Sequence, residues 1–312
     1  MYDVHTHVIP PDVIQWLKSH AHDVNAAWIK RDPAKADFLR VNGTWEFELK
    51  EAFINPALYL EEQEQAGVTH SLVSPIPQLF LYDCPAAVTA ELASVYNRSL
   101  AAWAGAHHQR LSALATVTLQ EPARAANELR DAMGLGLKGA IIATSWSGNL
   151  LSHEKFAPFW EEADHQKAIL FLHPLLSVDA RLGQRMMANL IGVPWETTVC
   201  AVDLMLSGLM DKYPNVKILL AHGGGYLPYQ IGRLETGYAK WKAVNAHLQA
   251  SPRDYLKRFW YDTVLWNPAG IRCLIDLVGG DRVVPGSDYP FDLCAWPPDS
   301  SGATGFQTLM AE

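Results

Sequence analysis

Short apolar runs recur along the chain, with room for a helix between one run and the next. Each run has six to eight residues, most of them rich in Val, Ile and Leu, and segments with helical spacing of apolar residues separate them. Strands that alternate with helices form a parallel sheet. The eight runs are residues 2–7, 68–74, 110–117, 138–143, 168–173, 216–222, 258–263 and 282–287. The pattern predicts an α/β protein folded as a (β/α)8 TIM barrel.

Several connecting segments carry the start signals of helices. Asn55 followed by Pro56 predicts a cap and a first helical turn, and this helix should end near Gly67. Ser152 with Glu154 predicts another helix start, and residues 86–105 have the pattern of a long amphipathic helix. Because no linker or low-complexity segment interrupts these elements, we expect residues 1–312 to form one domain.

The two ends of the chain depart from an ideal barrel. Nearly fifty residues separate the first strand from the next helix, so we predict an insertion over residues 11–55 that lies on the catalytic face and can act as a lid. Within it, Asn42-Gly43 indicates a two-residue hairpin. Residues 295–304 should not be helical, and we expect the eighth helix to be short or missing. Either another segment completes the barrel or the chain is truncated.

Composition excludes several classes of protein. The formal net charge is -8 and no basic run occurs, which argues against a nucleic-acid surface. The longest apolar stretches are too short to cross a membrane, and no signal peptide precedes the first strand. The four cysteines are widely spaced and suit a reducing compartment. We therefore predict a soluble, cytoplasmic protein.

Residues of metal-ligand type lie at the ends of predicted strands. His5 and His7 are two residues apart, so their side chains share one face of the first strand. His173 and Asp288 each follow a later apolar run. A lone histidine at a strand end is more often structural, but four such residues at the catalytic end of one barrel form a pattern. Zinc accepts imidazole nitrogen and carboxylate oxygen, and Fe, Co and Mn accept the same set. We predict one divalent metal ion, Zn²⁺ in the first place, bound by His5, His7, His173 and Asp288.

His222 also ends an apolar run, and three glycines follow it. It can act as a second metal ligand or as a proton shuttle. A two-metal site usually needs a bridging group from the fourth strand, where the one ionisable residue, Lys138, lies at the wrong end. We therefore predict a single metal ion, with His222 and Asp288 as catalytic residues.

The chain resembles the amidohydrolase superfamily (amidohydrolase-related family 2), and within it the decarboxylase branch. The resemblance covers nearly the whole chain. It implies a barrel with one metal ion, usually zinc, often in a homodimer, and C–C cleavage without an organic cofactor. It also implies that the four residues above are the ligands and that His222 is the catalytic histidine. The motifs that carry it are His5-Thr6-His7, Phe171-Leu172-His173-Pro174, Leu220-Ala221-His222-Gly223-Gly224-Gly225 and Gly286-Ser287-Asp288-Tyr289-Pro290-Phe291.

The chain departs from this branch at positions that contact the substrate. Phe47 and Trp241 stand where a family member has arginines for a substrate carboxylate. Arg40 or Arg185 can replace one of them, and the alternative for both is an ordinary surface or structural ion pair. The usual C-terminal helix of the family is not evident either. The candidate walls for a flat substrate are Trp45, Phe47, Trp146 and Phe291, with Arg185 as a candidate for its carboxylate.

The predicted function is non-oxidative decarboxylation of an aromatic or unsaturated carboxylic acid. Metal-bound water and His222 would manage the proton that replaces CO2. The alternative is a hydrolase, in which the same water attacks a lactone or an amide with Asp288 or His222 as general base. A barrel that binds metal without catalysis is a third possibility, which the complete ligand set disfavours. The expected partners are a small carboxylate substrate and a second copy of the chain.

Overall fold

Eight parallel strands form a closed barrel in the structure, a computed structural model that describes residues 1–43 and 46–311. Strands β1 to β3 pair in one series and β4 to β8 in another. Backbone hydrogen bonds from Ala115 N to Gly139 O (2.8 Å) and from His7 N to Tyr289 O (2.9 Å) join the two series into a ring. The predicted TIM-barrel fold is confirmed. Strands β1 to β8 are Tyr2–His7, His70–Ser74, Leu111–Ala113, Gly139–Ile142, Ile169–Leu172, Lys217–Leu220, Trp260–Asp262 and Val283–Val284.

The barrel strands are apolar because both of their faces are covered. All four residues of β5 are buried between the barrel interior and the surrounding helices. Gly139 shows how closely neighbouring strands approach, since a Cβ atom there would lie 1.9 Å from Ile169 O. Its φ of +144° is also one that other residues rarely adopt. Only glycine fits at the start of β4.

Helices surround the barrel. Short 3₁₀ turns occur at Pro77–Leu79, Glu154–Phe156, Ala180–Leu182 and His222–Gly224, and a π-helical turn at Ala188–Gly192. Among the described residues, none of the helices combines the length and the apolar character needed to cross a membrane. Helices α1 to α13 are Pro11–Ser19, Glu51–Ile54, Pro56–Gln65, Ala86–Ala106, Pro122–Gly134, Ala157–His165, Val193–Leu206, Leu209–Lys212, Leu227–Lys240, Lys242–Asn245, Pro252–Leu256, Pro268–Val278 and Ala303–Met310.

The predicted helix starts fare differently. Asn55 caps α3, as predicted. Its side chain accepts hydrogen bonds from the backbone N–H groups of Ala57 and Leu58. The predicted cap at Ser152 is wrong, because its hydroxyl donates to Asp203 Oδ1 (2.7 Å) instead. The His153 side chain accepts from Lys155 N (3.2 Å) and opens the 3₁₀ turn that precedes α6.

A three-stranded antiparallel sheet lies between β1 and α3, formed by Ala27–Ile29, Phe38–Arg40 and Phe47–Glu48. Its register pairs Leu39 with Phe47, so the connection between these two strands is longer than the predicted two-residue turn. Thr44 and Trp45, in this connection, lie outside the described residues. Both Leu39 and Phe47 are buried, which attaches the sheet to the main core.

A short helix, α13, covers the amino end of the barrel. The Phe306 ring stacks on Tyr2 with 4.0 Å between ring centres, and Trp260 Nε1 donates to Thr308 Oγ1 (3.0 Å). The eighth helix is thus short, one of the two outcomes expected, and not missing. The expectation that residues 295–304 are not helical is wrong for the last two of them, where the helix begins. Packing against the barrel stabilises a helix whose local sequence gives little sign of it.

Candidate metal centre

Three histidines and one aspartate meet at the carboxyl end of the barrel. Nε2 of His5 and Nε2 of His7 each lie 3.3 Å from Asp288 Oδ1, and the ring centres of His5 and His173 are 5.1 Å apart. The three histidines are buried. The structure therefore brings together the residues that the strand-end pattern singled out. Each of the four residues offers one ligand-type atom, and these four atoms all lie within 4.8 Å of one another. The group consists of His5, His7, His173 and Asp288.

The inward-facing atoms of this group lack hydrogen-bond partners. Within the described residues, Nε2 of each histidine and Oδ1 of Asp288 are buried and form no hydrogen bond. A buried polar atom without a partner costs about 1–3 kcal/mol, and four that converge on one point need an explanation. Three imidazole nitrogens and one carboxylate oxygen are a donor set for Zn²⁺ or a similar ion. The residues present fit a divalent metal ion.

The opposite ring nitrogens fix the tautomer of two of the histidines. His7 Nδ1 lies 3.1 Å from Pro75 O, and His173 Nδ1 lies 2.9 Å from Pro174 O. A carbonyl oxygen can only accept, so the proton is assigned to Nδ1 in both rings. The lone pair of each ring is then on Nε2 and faces the centre of the group, as metal binding requires.

Charges in the group favour a cation. Burial raises the pKa of Asp288, but the surrounding histidines outweigh it and hold this pKa well below its ordinary value. Burial lowers the pKa of His7 and of His173, which keeps both rings neutral. Burial also lowers the pKa of His5, yet the carboxylates of Asp288 and Asp262 outweigh it and raise this pKa to about 10. A positive charge is therefore favoured here, whether on an imidazole ring or on a metal ion.

His222 lies at the edge of the group. Its Nε2 is 3.6 Å from Asp288 Oδ2, and its ring centre is 5.3 Å from that of His173. Its Nδ1 is buried and has no hydrogen-bond partner in the part of the chain that the structure describes. The backbone is left-handed, with φ of 54° at His222 and 63° at Asp288. Such conformations are uncommon for residues other than glycine and cluster at functional sites.

Two buried carboxylates next to the group were not identified from the sequence. Asp262 Oδ2 lies 2.6 Å from His5 Nδ1. Asp3 accepts hydrogen bonds from Ser287 Oγ (2.6 Å) and from His5 N (3.2 Å). Burial raises the pKa of Asp3 to about 7 against the effect of these hydrogen bonds. The available signal is an acidic residue within an otherwise apolar strand, which is rarely buried without a partner.

An aromatic wall lies beside the histidines. The Phe291 ring centre is 5.4 Å from that of His7, 5.9 Å from that of Phe47 and 4.9 Å from that of Phe53. Phe47 and Phe53 are 5% and 2% exposed, so the wall is continuous with the core. Of the predicted substrate contacts, Phe291 is therefore next to the candidate metal centre, and Phe47 contacts Phe291.

Among the described residues, no hydrogen bond, ion pair or ring contact joins Trp146 or Arg185 to the histidines, and Trp45 lies outside the described residues. Trp146 Nε1 donates to Tyr82 O (3.1 Å). Arg185 is exposed and has a left-handed backbone (φ 55°). Arg40 Nη1 lies 3.4 Å from Glu46 Oε1, which matches the alternative of an ordinary ion pair. Trp146 and Arg185 stay predictions.

Comparison with known proteins identifies the family. The family model described as Amidohydrolase matches residues 2–308. The 2-amino-3-carboxymuconate-6-semialdehyde decarboxylase of Dictyostelium discoideum is 28% identical over 297 residues, which cover 93% of this chain and 82% of that protein. The gamma-resorcylate decarboxylase of Polaromonas sp. is 33% identical over 240 residues, which cover 71% of this chain and 72% of that protein.

A solved structure agrees with the barrel. Dihydroxybenzoic acid decarboxylase from Polaromonas sp. JS666, with bound manganese and the inhibitor 2-nitroresorcinol, has a TM-score of 0.74 at 22% identity. The alignment covers 93% of this chain and 86% of that chain. The resemblance first noted in the motifs around the four clustered residues is confirmed by a match over nearly the whole sequence. The chain belongs to the amidohydrolase family.

Proposed function

We propose that this protein is a metal-dependent, non-oxidative decarboxylase that acts on an aromatic or unsaturated carboxylic acid. The observation that supports it most is the convergence of four buried, unpartnered ligand-type atoms, from four residues grouped within 4.8 Å, at the carboxyl end of a barrel of described strands. The relatives reported above are named as decarboxylases, which agrees with this class. The proposed metal ligands are His5, His7, His173 and Asp288, and the proposed catalytic residues are His222 and Asp288.

A divalent ion in this group would supply a Lewis acid that stabilises negative charge on the substrate. We propose zinc first, because three nitrogen donors and one oxygen donor suit it. Manganese, which the related Polaromonas structure contains, is the second ion to test. Both ions would accept imidazole nitrogen and carboxylate oxygen, so the ligand set alone does not select one of them.

His222 is proposed to deliver the proton that replaces CO2. When the C–C bond to the carboxylate breaks, its electron pair stays on the substrate carbon and CO2 leaves. Within the described residues His222 Nδ1 is buried and has no hydrogen-bond partner. A histidine ring positioned in this way is the side chain that most often transfers such a proton. Asp288 Oδ2 lies 3.6 Å from Nε2 of His222, which places the ring beside the proposed metal ligands. The transfer to carbon then completes the exchange of CO2 for a proton.

The aromatic wall supports a flat substrate with one carboxylate. A second charged group placed against Phe47, Phe53 and Phe291 would lose hydration without gaining a partner. A ring with an apolar substituent gains from the same contact, because aromatic pairs stabilise each other beyond their buried area. Trp146 and Arg185 stay in the proposal as further substrate contacts.

We also propose a homodimer that forms through one exposed apolar surface. Tyr226 Oη donates to Ile191 O (3.2 Å), which joins helix α9 to the π-helical turn. On this surface Leu190, Ile191 and Tyr229 are 54%, 45% and 56% exposed. Monomers rarely expose contiguous apolar patches of large size. Sedimentation equilibrium should give twice the chain mass of 34.6 kDa, and Tyr229→Glu should shift it toward the single mass.

We propose a cytoplasmic location because the cysteine thiols are not paired in disulfides. All four cysteines are free, two of them buried in the core. Free thiols persist in reducing compartments, and secreted proteins of comparable cysteine content tend to pair them. Fractionation of the source cells with an antibody against the chain would test the location.

The test of the activity is CO2 release from a panel of acids. Chelator-treated protein is reloaded with Zn²⁺ or Mn²⁺ and incubated with hydroxybenzoates, carboxyvanillates and muconate semialdehydes. We expect release from one class of acid, and we expect it to stop when the chelator is added again. Silence across the panel with one ion bound per chain would overturn decarboxylation. Hydrolysis of lactones would then be the next reaction to assay.

A further inference from the structure

Asp262 ends strand β7 directly beneath the candidate metal centre. Its side chain is completely buried. Its Oδ2 atom lies 2.6 Å from His5 Nδ1 and accepts a hydrogen bond from His222 N at 2.9 Å. One oxygen atom therefore contacts both a proposed metal ligand and the residue that is proposed to move the proton.

The second oxygen of Asp262 is engaged as well. Oδ1 accepts hydrogen bonds from Gly223 N (2.8 Å) and from Val264 N (3.1 Å). A buried carboxylate is tolerated only when its charge and its lone pairs find partners, and here each oxygen has two donors. A Cβ atom at Gly286 would lie 2.9 Å from the Cβ atoms of both Asp262 and His5. The close approach of Gly286 leaves neither side chain room to shift.

The turn that presents His222 depends on the same carboxylate. The φ angles of His222 and Gly223 are +54° and +61°, which turn two successive N–H groups toward one point. Successive N–H groups of this kind form an anion-binding nest. Leu265 blocks the other side of the turn, since a Cβ atom at Gly223 would lie 2.6 Å from Leu265 Cδ2. Asp262 is the anion that occupies the nest.

We propose that Asp262 is a positioning residue that couples the metal ligand His5 to the catalytic histidine His222. This inference rests on the function proposed above. By accepting the Nδ1 proton of His5, Asp262 leaves the Nε2 lone pair free for the metal ion. By filling the nest, it holds the His222 ring beside Asp288. One carboxylate thus fixes the position of the proposed proton donor, His222, relative to the proposed metal ligand His5.

Replacement of Asp262 by Asn tests the coupling. The amide has nearly the same size as the carboxylate, but it has one acceptor oxygen instead of two, and its NH2 group is a donor. If its NH2 group faces His5, the ring must carry its proton on Nε2, and metal binding weakens. If the NH2 group faces Gly223 and Val264 instead, the nest loses its anion and His222 moves. We expect Asp262→Asn to raise the Kd for Zn²⁺ about 10- to 100-fold. We also expect it to lower kcat at saturating zinc by about tenfold or more, with KM within about twofold of the wild-type value.

The control is Asp203→Asn, which also changes a partly buried carboxylate. Asp203 accepts hydrogen bonds from Ser152 N (3.1 Å) and Ser152 Oγ (2.7 Å), and no recorded contact among the described residues joins it to the histidines. Its zinc affinity and kcat should match those of the wild type. The inference is overturned if Asp262→Asn matches the wild type in both Kd and kcat, or if Asp203→Asn changes them equally.

A measurement on the wild type keeps the test valid if Asp262→Asn fails to fold. In zinc-loaded protein that is uniformly ¹⁵N-labelled, the His5 ring should carry its proton on Nδ1 in a short hydrogen bond, and the amides of His222 and Gly223 should exchange slowly. A proton on Nε2, or rapid exchange of both amides, would contradict the role of Asp262. These readouts do not require decarboxylation. Wild-type protein that binds zinc but releases no CO2 would overturn the proposed function while leaving them intact.

Discussion

The two ends of the barrel differ in whether their buried polar atoms have hydrogen-bond partners. At the carboxyl end, within the described residues, four buried atoms converge without hydrogen-bond partners. At the amino end, helix α13 stacks Phe306 on Tyr2, and Trp260 Nε1 donates to Thr308. Strand β7 links the two, with Trp260 at its start and Asp262 at its end. Unpartnered ligand-type atoms converge at one end, and a helix packed over the strand starts lies at the other.

The same strands therefore serve two purposes: their amino ends pack against helix α13, and their carboxyl ends carry the candidate metal ligands. The strands are rigid because their middle residues are buried on both faces, so each end can serve one purpose without disturbing the other. A substitution at the amino end should therefore change the free energy of unfolding and spare the site. A substitution of a candidate metal ligand at the carboxyl end should change metal binding and turnover first.

The largest effect is expected from removing a metal ligand at the carboxyl end. His173→Ala should abolish metal binding and lower the rate of CO2 release by more than about 10⁴-fold, because the Lewis acid is lost with the ion. Elemental analysis and CO2 release measure the two effects, and Asp288→Ala should behave alike. If His173→Ala retains one ion per chain, the ligand assignment is wrong.

The next effect separates the proton donor from the ligands. His222→Ala should keep its metal ion and lose turnover by about 10²–10⁴-fold, the usual contribution of a positioned acid or base. The metal content of the same preparation is the control. An unchanged kcat would remove His222 from the mechanism, and a lost ion would move it into the group of ligands.

A third effect belongs to the amino end. Phe306 is 8% exposed and stacks on Tyr2, so Phe306→Ala should lower the free energy of unfolding by about 3 kcal/mol. Urea unfolding of the chelator-treated protein measures this change, and Phe306→Leu should cost less. Metal content and kcat of the folded variant should equal those of the wild type. A folded Phe306→Ala protein that binds no metal would contradict the expectation that substitutions at the amino end leave the metal site unchanged.

The smallest effect is expected on the flank of the barrel, at neither end. Arg130 Nε donates to Glu162 Oε1 (3.1 Å) and joins helix α5 to α6. The hydrogen bond from Arg130 holds the pKa of Glu162 below its ordinary value of 4.5, against the effect of burial. Its stabilisation is present above pH 4.5 and is lost as the pH falls through the lower, folded-state pKa.

Arg130→Gln should therefore lower the free energy of unfolding at pH 7 by less than Phe306→Ala does, since the guanidinium is exposed and its charge is screened by solvent. The difference from the wild type should shrink as the pH falls below the ordinary range of a glutamate. Urea unfolding at pH 7 and in mild acid measures both values. A cost that grows in acid would contradict the sign of this pKa shift.

The candidate metal centre could be predicted because its signal is local. His5 and His7 share a face through the two-residue repeat of a strand, and His173 and Asp288 each follow an apolar run. Parallel strands in a barrel end on the same side, so four local signals converge without any knowledge of register. The same reasoning found the eight strands, although β3 and β8 are shorter than their apolar runs.

The parts that could not be predicted depend on contacts across the barrel. Asp262 looks like any acidic residue at a strand end until the fold places the N–H groups of His222 and Gly223 around it. Phe53, which was not predicted, reaches Phe291 through the packing of helix α2, which no short-range pattern encodes. Helix α13 is stabilised by Tyr2 and its neighbours, at the other extreme of the chain.

The hydrogen bond from Ser287 Oγ to Asp3 has a consequence for biosynthesis. The two residues lie 284 positions apart, and they flank residues that form the proposed metal site. A ribosome that adds about 5–20 residues per second needs on the order of tens of seconds to travel from one to the other. During that time His5 and His7 are exposed on a nascent chain that cannot yet enclose an ion. An ion that needs all four proposed ligands can therefore bind only after Asp288 has been synthesised and the barrel has closed.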